Sequence, residues 1–136
     1  MTTPAEGLAR MRAAVASGRL DELCVRHGLR VLTVFGSAAR GEPAARDLDV
    51  GVFSEPGQPF DPVALINDLV ALTGVDAIDL AHLNRAGPVL RERALVGCVA
   101  LFESAPGRYA AAQTAAIGQR IETDALRRLD LELLAQ

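Results

Sequence analysis

The chain has no lysine and no tryptophan, and its only aromatic residues are one Tyr and four Phe in 136 positions. A core without many rings must be built from Ala, Val, Leu and Ile. Arginine supplies all fourteen basic residues against seventeen acidic ones, for a net charge of -3. That balance argues against a domain living on long nucleic acid, which carries a clear basic excess. Cys24 and Cys98 are isolated and have no metal spacing with His27 or His82, so both read as reduced core thiols. No run approaches the ~18 apolar residues of a membrane span, and the start lacks an apolar signal core. The expectation is a cytoplasmic protein with no membrane partner. The G-x-x-x-x-G-K-[ST] pattern of a P-loop is absent.

Half of the residues are hydrophobic, which excludes extended disorder. The length fits a single domain, residues 1–136, with a core at about 28–103 and a C-terminal helix at about 105–135. Apolar periodicity predicts a helix from Pro4 to His27, with a break at Gly18. Strands follow at Arg30–Phe35 and Asp47–Phe53. Asp61-Pro62 opens a helix that runs to Leu72 and closes at Gly74. A third strand is expected at Val75–Leu80, a short helix at Pro88–Val96, and a fourth strand at Cys98–Phe102. A long helix from about Gly107 to Leu134 ends the chain. The order α-β-β-α-β-α-β-α predicts an α+β fold, a small mixed sheet of about four strands covered mainly on one face.

The chemistry concentrates in Phe35-Gly36-Ser37-Ala38-Ala39-Arg40-Gly41-Glu42 and Arg46-Asp47-Leu48-Asp49-Val50-Gly51-Val52. Residues two apart on a strand share a face, so Asp47 and Asp49 stand side by side while Leu48, Val50 and Val52 turn inward. Two adjacent carboxylates repel unless a cation lies between them. Mg²⁺ suits the position, because it takes hard oxygen ligands from carboxylates and substrate phosphates. Gly36 permits close approach of a phosphate, and Ser37 with free backbone N–H groups can hold its oxygens. Arg40 lies one turn on and either pairs with phosphate or braces a carboxylate. A third acid is expected from Val75-Asp76-Ala77-Ile78-Asp79-Leu80. Asp76 and Asp79 face opposite sides of a strand, so at most one joins the site. His82, after this strand, is a weaker candidate for approaching a nucleotide.

These residues resemble the nucleotidyltransferase superfamily that includes DNA polymerase beta and the aminoglycoside nucleotidyltransferases. The likeness is strongest to the minimal nucleotidyltransferases (MNT), which often partner HEPN-family ribonuclease toxins. It rests on Gly36-Ser37, Arg40-Gly41, Asp47 and Asp49. Pro88-Val89-Leu90-Arg91, Leu101-Phe102-Glu103 and Arg108-Tyr109 extend it downstream. The resemblance implies catalytic and metal-binding roles for Asp47, Asp49 and Asp76, preferring Asp76 to Asp79, and nucleotide binding by Gly36, Ser37 and Arg40. It also implies Mg²⁺, ATP as donor, and a HEPN toxin tyrosine as acceptor, which would make the chain an antitoxin. Two departures bear on loop geometry: a linker to Asp47 about one residue short, and Arg46 where a Ser is frequent.

Two other functions stay open at this point. A small-molecule, aminoglycoside-type transferase usually needs an extra helical domain that this length does not provide, although dimerisation would supply a surface. A non-catalytic antitoxin would dock through the long helix, where Ala112, Ala116, Ile117, Ile121, Ala125, Leu129 and Leu133 form a stripe. Self-association is left undecided by the sequence.

Overall fold

The computed structural model describes residues 1–135. Helix α1 (Pro4–Ser17) begins where Thr3 Oγ1 accepts the Glu6 N–H at 3.1 Å, with Pro4 in the first turn. Gly18, at φ 82°, ends it in the left-handed region and starts α2 (Arg19–Arg26). The expected break thus divides one predicted helix into two. Strand β1 (Leu29–Phe35), short helix α3 (Gly36–Ala39) and strand β2 (Leu48–Ser54) follow. Helix α4 (Pro62–Thr73) is capped by Asp61, whose Oδ1 accepts the Ala64 N–H, and closes at Gly74. Strand β3 (Ile78–His82), helix α5 (Pro88–Leu95), strand β4 (Val99–Glu103) and helix α6 (Arg108–Leu134) complete the chain.

The sheet order is β3-β2-β1-β4. β1 runs antiparallel to β2 and β4, and β2 runs parallel to β3. The α+β class and the four-stranded mixed sheet agree with the sequence reading. One detail differs: both faces are covered. Leu32, Val34, Leu48, Val50 and Val52 face α1, α2 and α4. Val31 and Phe35 face α5 and α6 in a second, smaller cluster with Leu83, Ala94, Leu95 and Ala116. β1 is buried at six of its seven positions, as a central strand between two helical layers must be.

β3 also begins later than expected. Val75 is apolar and β-branched, which imitates the start of a strand. It instead plugs the core against Gly7 of α1, 2% exposed. Pairing with β2 starts with the Leu48 N–H bonded to Ala77 O at 2.9 Å and continues in register from Leu48↔Ile78.

Helix α5 lies directly on the sheet at Gly51. A Cβ there would stand 3.0 Å from Thr33 Oγ1 and 3.1 Å from the Ala94 Cβ. The buried Thr33 hydroxyl donates to Ala94 O at 2.7 Å and pins the helix. Replacing Gly51 with Leu overfills this contact. The expected loss is about 1–3 kcal/mol of folding stability, read by urea denaturation.

Candidate nucleotide and metal site

β1 ends in a sharp turn. Gly36 has φ 73°, and a Cβ at this position would collide with the Asp49 carboxylate. Glycine is therefore required twice, by the backbone conformation and by the neighbour. Phe35 and Asp49 are direct partners across β1 and β2, so the turn sits over Asp49. No side chain caps the first turn of α3, which leaves its amide groups available.

Asp49 lies as the strand alternation requires. Leu48, Val50 and Val52 are 0% exposed and point toward α1, α2 and α4, while Asp49 is only half-buried. Asp47 is exposed just before β2. Asp49 lies on the sheet face that carries α5 and α6, and the charge of Asp47 acts on it from the entrance to β2.

The strand register brings Asp79, and not Asp76, opposite Asp49. Asp79 is the register partner of Asp49 in the parallel pair of β2 and β3, so their side chains leave the sheet on the same face. Asp76 lies before the strand, exposed at a bend. It lines a separate cleft of about 570 Å³ with Thr2, Glu42 and Arg46. The late start of β3 is the physical reason: the three-residue offset that separates the two acids by face also puts Asp76 outside the pairing.

Asp49 holds its proton more tightly than an ordinary carboxyl. Burial is the largest cause, followed by the negative charges of Asp79 and Asp47; Arg93 opposes them, and a hydrogen bond with Asp79 adds to the rise. Among the described residues, no three His, Cys, Asp or Glu side chains form a ready-made metal cage. The donor set still fits a hard divalent cation. It offers carboxylate oxygens only, and mutual repulsion at Asp49 is the cost that such a cation relieves. Substrate phosphates and waters would complete the coordination, as is usual for Mg²⁺.

Arg40 pairs with an acid two residues on in the chain. Its Nε donates to Glu42 Oε1 at 3.0 Å, a carboxylate outside the Asp cluster. Both side chains are more than half exposed, so the pair is weak and readily exchanged. Arg40 also borders the cavity beside Gly36.

His82 does not approach this place. It lies inside β3, three residues beyond Asp79, and therefore faces the other way near the far end of the strand. Its ring stacks at 4.4 Å from Phe60 and its Nε2 is 3.1 Å from Ser54 Oγ. Burial, then the charge of Arg85, lowers its pKa. His27 caps α2 and contacts Asp68 at 2.5 Å, a largely buried helix C-terminal residue. Cys24 is fully buried, and burial raises its thiol pKa.

The residue that sequence reasoning missed is Arg93. It comes from α5, distant in the chain, and acts on Asp49 through space. No local motif marks it.

Comparison with known proteins adds to this geometry. No protein-family model matches the sequence, and no curated protein does. Solved structures do match. A chain from the crystal structure of a toxin-antitoxin with AMP-PNP aligns over 88% of this chain and 98% of its own, at TM-score 0.67 and 18% identity. A chain from the structure of a tri-AMPylated Shewanella oneidensis HEPN toxin in complex with MNT antitoxin aligns over 88% and 95%, at TM-score 0.61 and 18% identity. A chain of the toxin-antitoxin MntA-HepT aligns over 88% and 96%, at TM-score 0.62 and 18% identity. The chain has the MNT nucleotidyltransferase fold. The resemblance read from Gly36-Ser37 and the paired aspartates is thus matched by the tertiary structure.

The geometry distinguishes the two candidate third acids in solution. Asp79→Asn removes a negative neighbour and lowers the pKa of Asp49, whereas Asp76→Asn leaves it unchanged. Carbon-13 NMR titration of the Asp49 carboxyl reads both. Equal effects of the two substitutions would contradict the pairing.

Proposed function

We propose that the protein is a Mg²⁺-dependent nucleotidyltransferase that moves AMP from ATP to an acceptor hydroxyl, a tyrosine of a HEPN-family toxin. The observation that carries this reading is the placement of Asp49 against Asp79 beneath the Gly36 turn. Asp47, Asp49 and Asp79 are the residues that would hold Mg²⁺. When bound, the cation neutralises charge on the triphosphate and on the attacking oxygen. Asp79 takes the third place first expected for Asp76.

The backbone N–H groups at Gly36 and Ser37, with the Ser37 hydroxyl, grip phosphate oxygens, and Arg40 exchanges Glu42 for phosphate. Asp79, exposed on the edge strand β3, accepts the proton of the incoming hydroxyl. The hydroxyl oxygen bonds to the α-phosphorus. The bond from that phosphorus to the bridging oxygen breaks, and pyrophosphate leaves with the electron pair. The protein contributes position and charge rather than covalent chemistry. The choice of ATP and of a toxin acceptor is supported by the neighbours of the same fold, one with AMP-PNP and one with an AMPylated HEPN toxin.

A second reading, an antitoxin that binds without modifying, is favoured by α6. Ile121, Leu126, Leu129, Leu131, Leu133 and Leu134 are all more than half exposed. Only Ala116 of this 27-residue helix is buried. Beyond Ala116 the apolar stripe therefore does not pack on its own sheet, and an exposed patch of this kind marks a partner surface.

Labelled ATP, Mg²⁺ and a co-expressed HEPN-type partner separate the readings. Wild type transfers label to the partner, and Asp47→Asn with Asp49→Asn reduces transfer by roughly a hundredfold or more. An Asp-to-Asn variant that still neutralises the toxin in cells would favour binding alone. Absence of label with the intact wild-type complex would end the enzymatic reading.

A further inference from the structure

A separate cavity of about 290 Å³ lies between the sheet and helices α5 and α6. Val31 lines it, while Phe35 ends the same strand at the Gly36 turn, so the two places are roughly 13 Å apart along β1. Val31, Phe53, Leu95 and Ala116 give it apolar walls. Arg30 and Arg91 stand among them. No Asp or Glu lines the cavity, although acidic residues outnumber basic ones in the chain.

Arg91 is half-buried, and three neutral acceptors fix its fork. Nε donates to Leu83 O at 2.8 Å, Nη2 to Asn84 O at 3.1 Å and Nη1 to Gln119 Oε1 at 3.2 Å. Its Cζ lies 5.7 Å from the centre of the Phe53 ring. Among the described residues no carboxylate pairs with it. A guanidinium partly withdrawn from water without a counter-charge is costly, and an anion relieves that cost. A guanidinium has five N–H groups, so donors are left over for a ligand. Arg30 is also poorly matched. Its one ion contact is with Glu55 at 3.9 Å, and the other oxygen of that carboxylate accepts the Ser104 hydroxyl at 2.7 Å.

We propose that this cavity is a second ligand site, for a small carboxylate carrying a compact apolar body. The carboxylate pairs with Arg91 and Arg30, because one planar fork meets another. The body rests on Phe53, Leu95 and Ala116 and removes their apolar surface from water. The volume is at the lower end for small-ligand pockets, about 300 Å³, which suits a single ring or a short branched chain. The site goes beyond the nucleotidyltransferase reading and does not depend on it. Gly36, Ser37, Asp47, Asp49 and Asp79 are all absent from its lining.

Phenylacetate is the probe, titrated calorimetrically into the full chain. Phenethyl alcohol is its uncharged counterpart, and inorganic phosphate is an anion without an apolar body. Phenylacetate is expected to bind one to one, and the other two more weakly by about tenfold or more. Ala115→Leu narrows the cavity from an exposed position on α6, and Arg30→Gln removes one cation. Each is expected to weaken phenylacetate by about tenfold while the thermal midpoint of unfolding stays unchanged. Arg91 is left intact because it also ties Leu83 and Asn84 to α5. Methyl NMR shifts on binding are expected at Val31, Leu95 and Ala116. Failure of phenylacetate to bind, equal binding of phenethyl alcohol or phosphate, or wild-type affinity in either variant overturns the proposal. Shifts confined to the exposed leucines at the end of α6 overturn it as well.

Discussion

The site depends on one crowded contact, the Asp49 carboxylate lying under the Gly36 turn and beside Asp79. Removing a carboxylate from water and placing a second one next to it is unfavourable, and the raised pKa of Asp49 expresses that cost. The surrounding structure sustains it. β2 is anchored from below by Leu48, Val50 and Val52, all completely buried. Gly36, with no Cβ, lets the turn pass over the acid.

The two faces of the sheet divide the work. The face toward α1, α2 and α4 is a continuous apolar layer and supplies most of the burial. The face toward α5 and α6 is smaller and carries Asp49 and its register partner Asp79. α5 links the two tasks. It closes the second core through Ala94 and Leu95, and it presents Arg93 toward the acids. Gly51 is what allows the helix to come so close, so a residue with no side chain sets the distance between a basic group and an acidic cluster.

α6 is built differently from the rest. Its first half joins the domain through Tyr109, Gln113 and Ala116. Tyr109 Oη donates to Leu95 O at 2.7 Å, and Gln113 Nε2 donates to the same carbonyl at 3.0 Å. From Ala125 onward every described residue is exposed. The helix is thus anchored at one end and free along the other, a form suited to a partner surface.

Much of this was legible in the sequence, and the limits were local in origin. Caps and breakers at Thr3, Gly18, Asp61 and Gly74 are short-range signals, and the helix ends fall at them. The position of Asp49 and the opposite burial of Leu48 and Val50 follow from strand alternation alone. Three features required the tertiary structure. Val75 carries strand propensity but is drawn into the core, which moves the start of β3 and brings Asp79 rather than Asp76 opposite Asp49. Arg93 reaches the site because α5 packs on Gly51, and no pattern within α5 records that contact. The stripe on α6 has helical spacing whether or not it is covered, so its exposure depends on how far the domain extends beneath it. Local periodicity states which residues share a face. Which face meets which, and at what register, is decided by packing between segments distant in the chain.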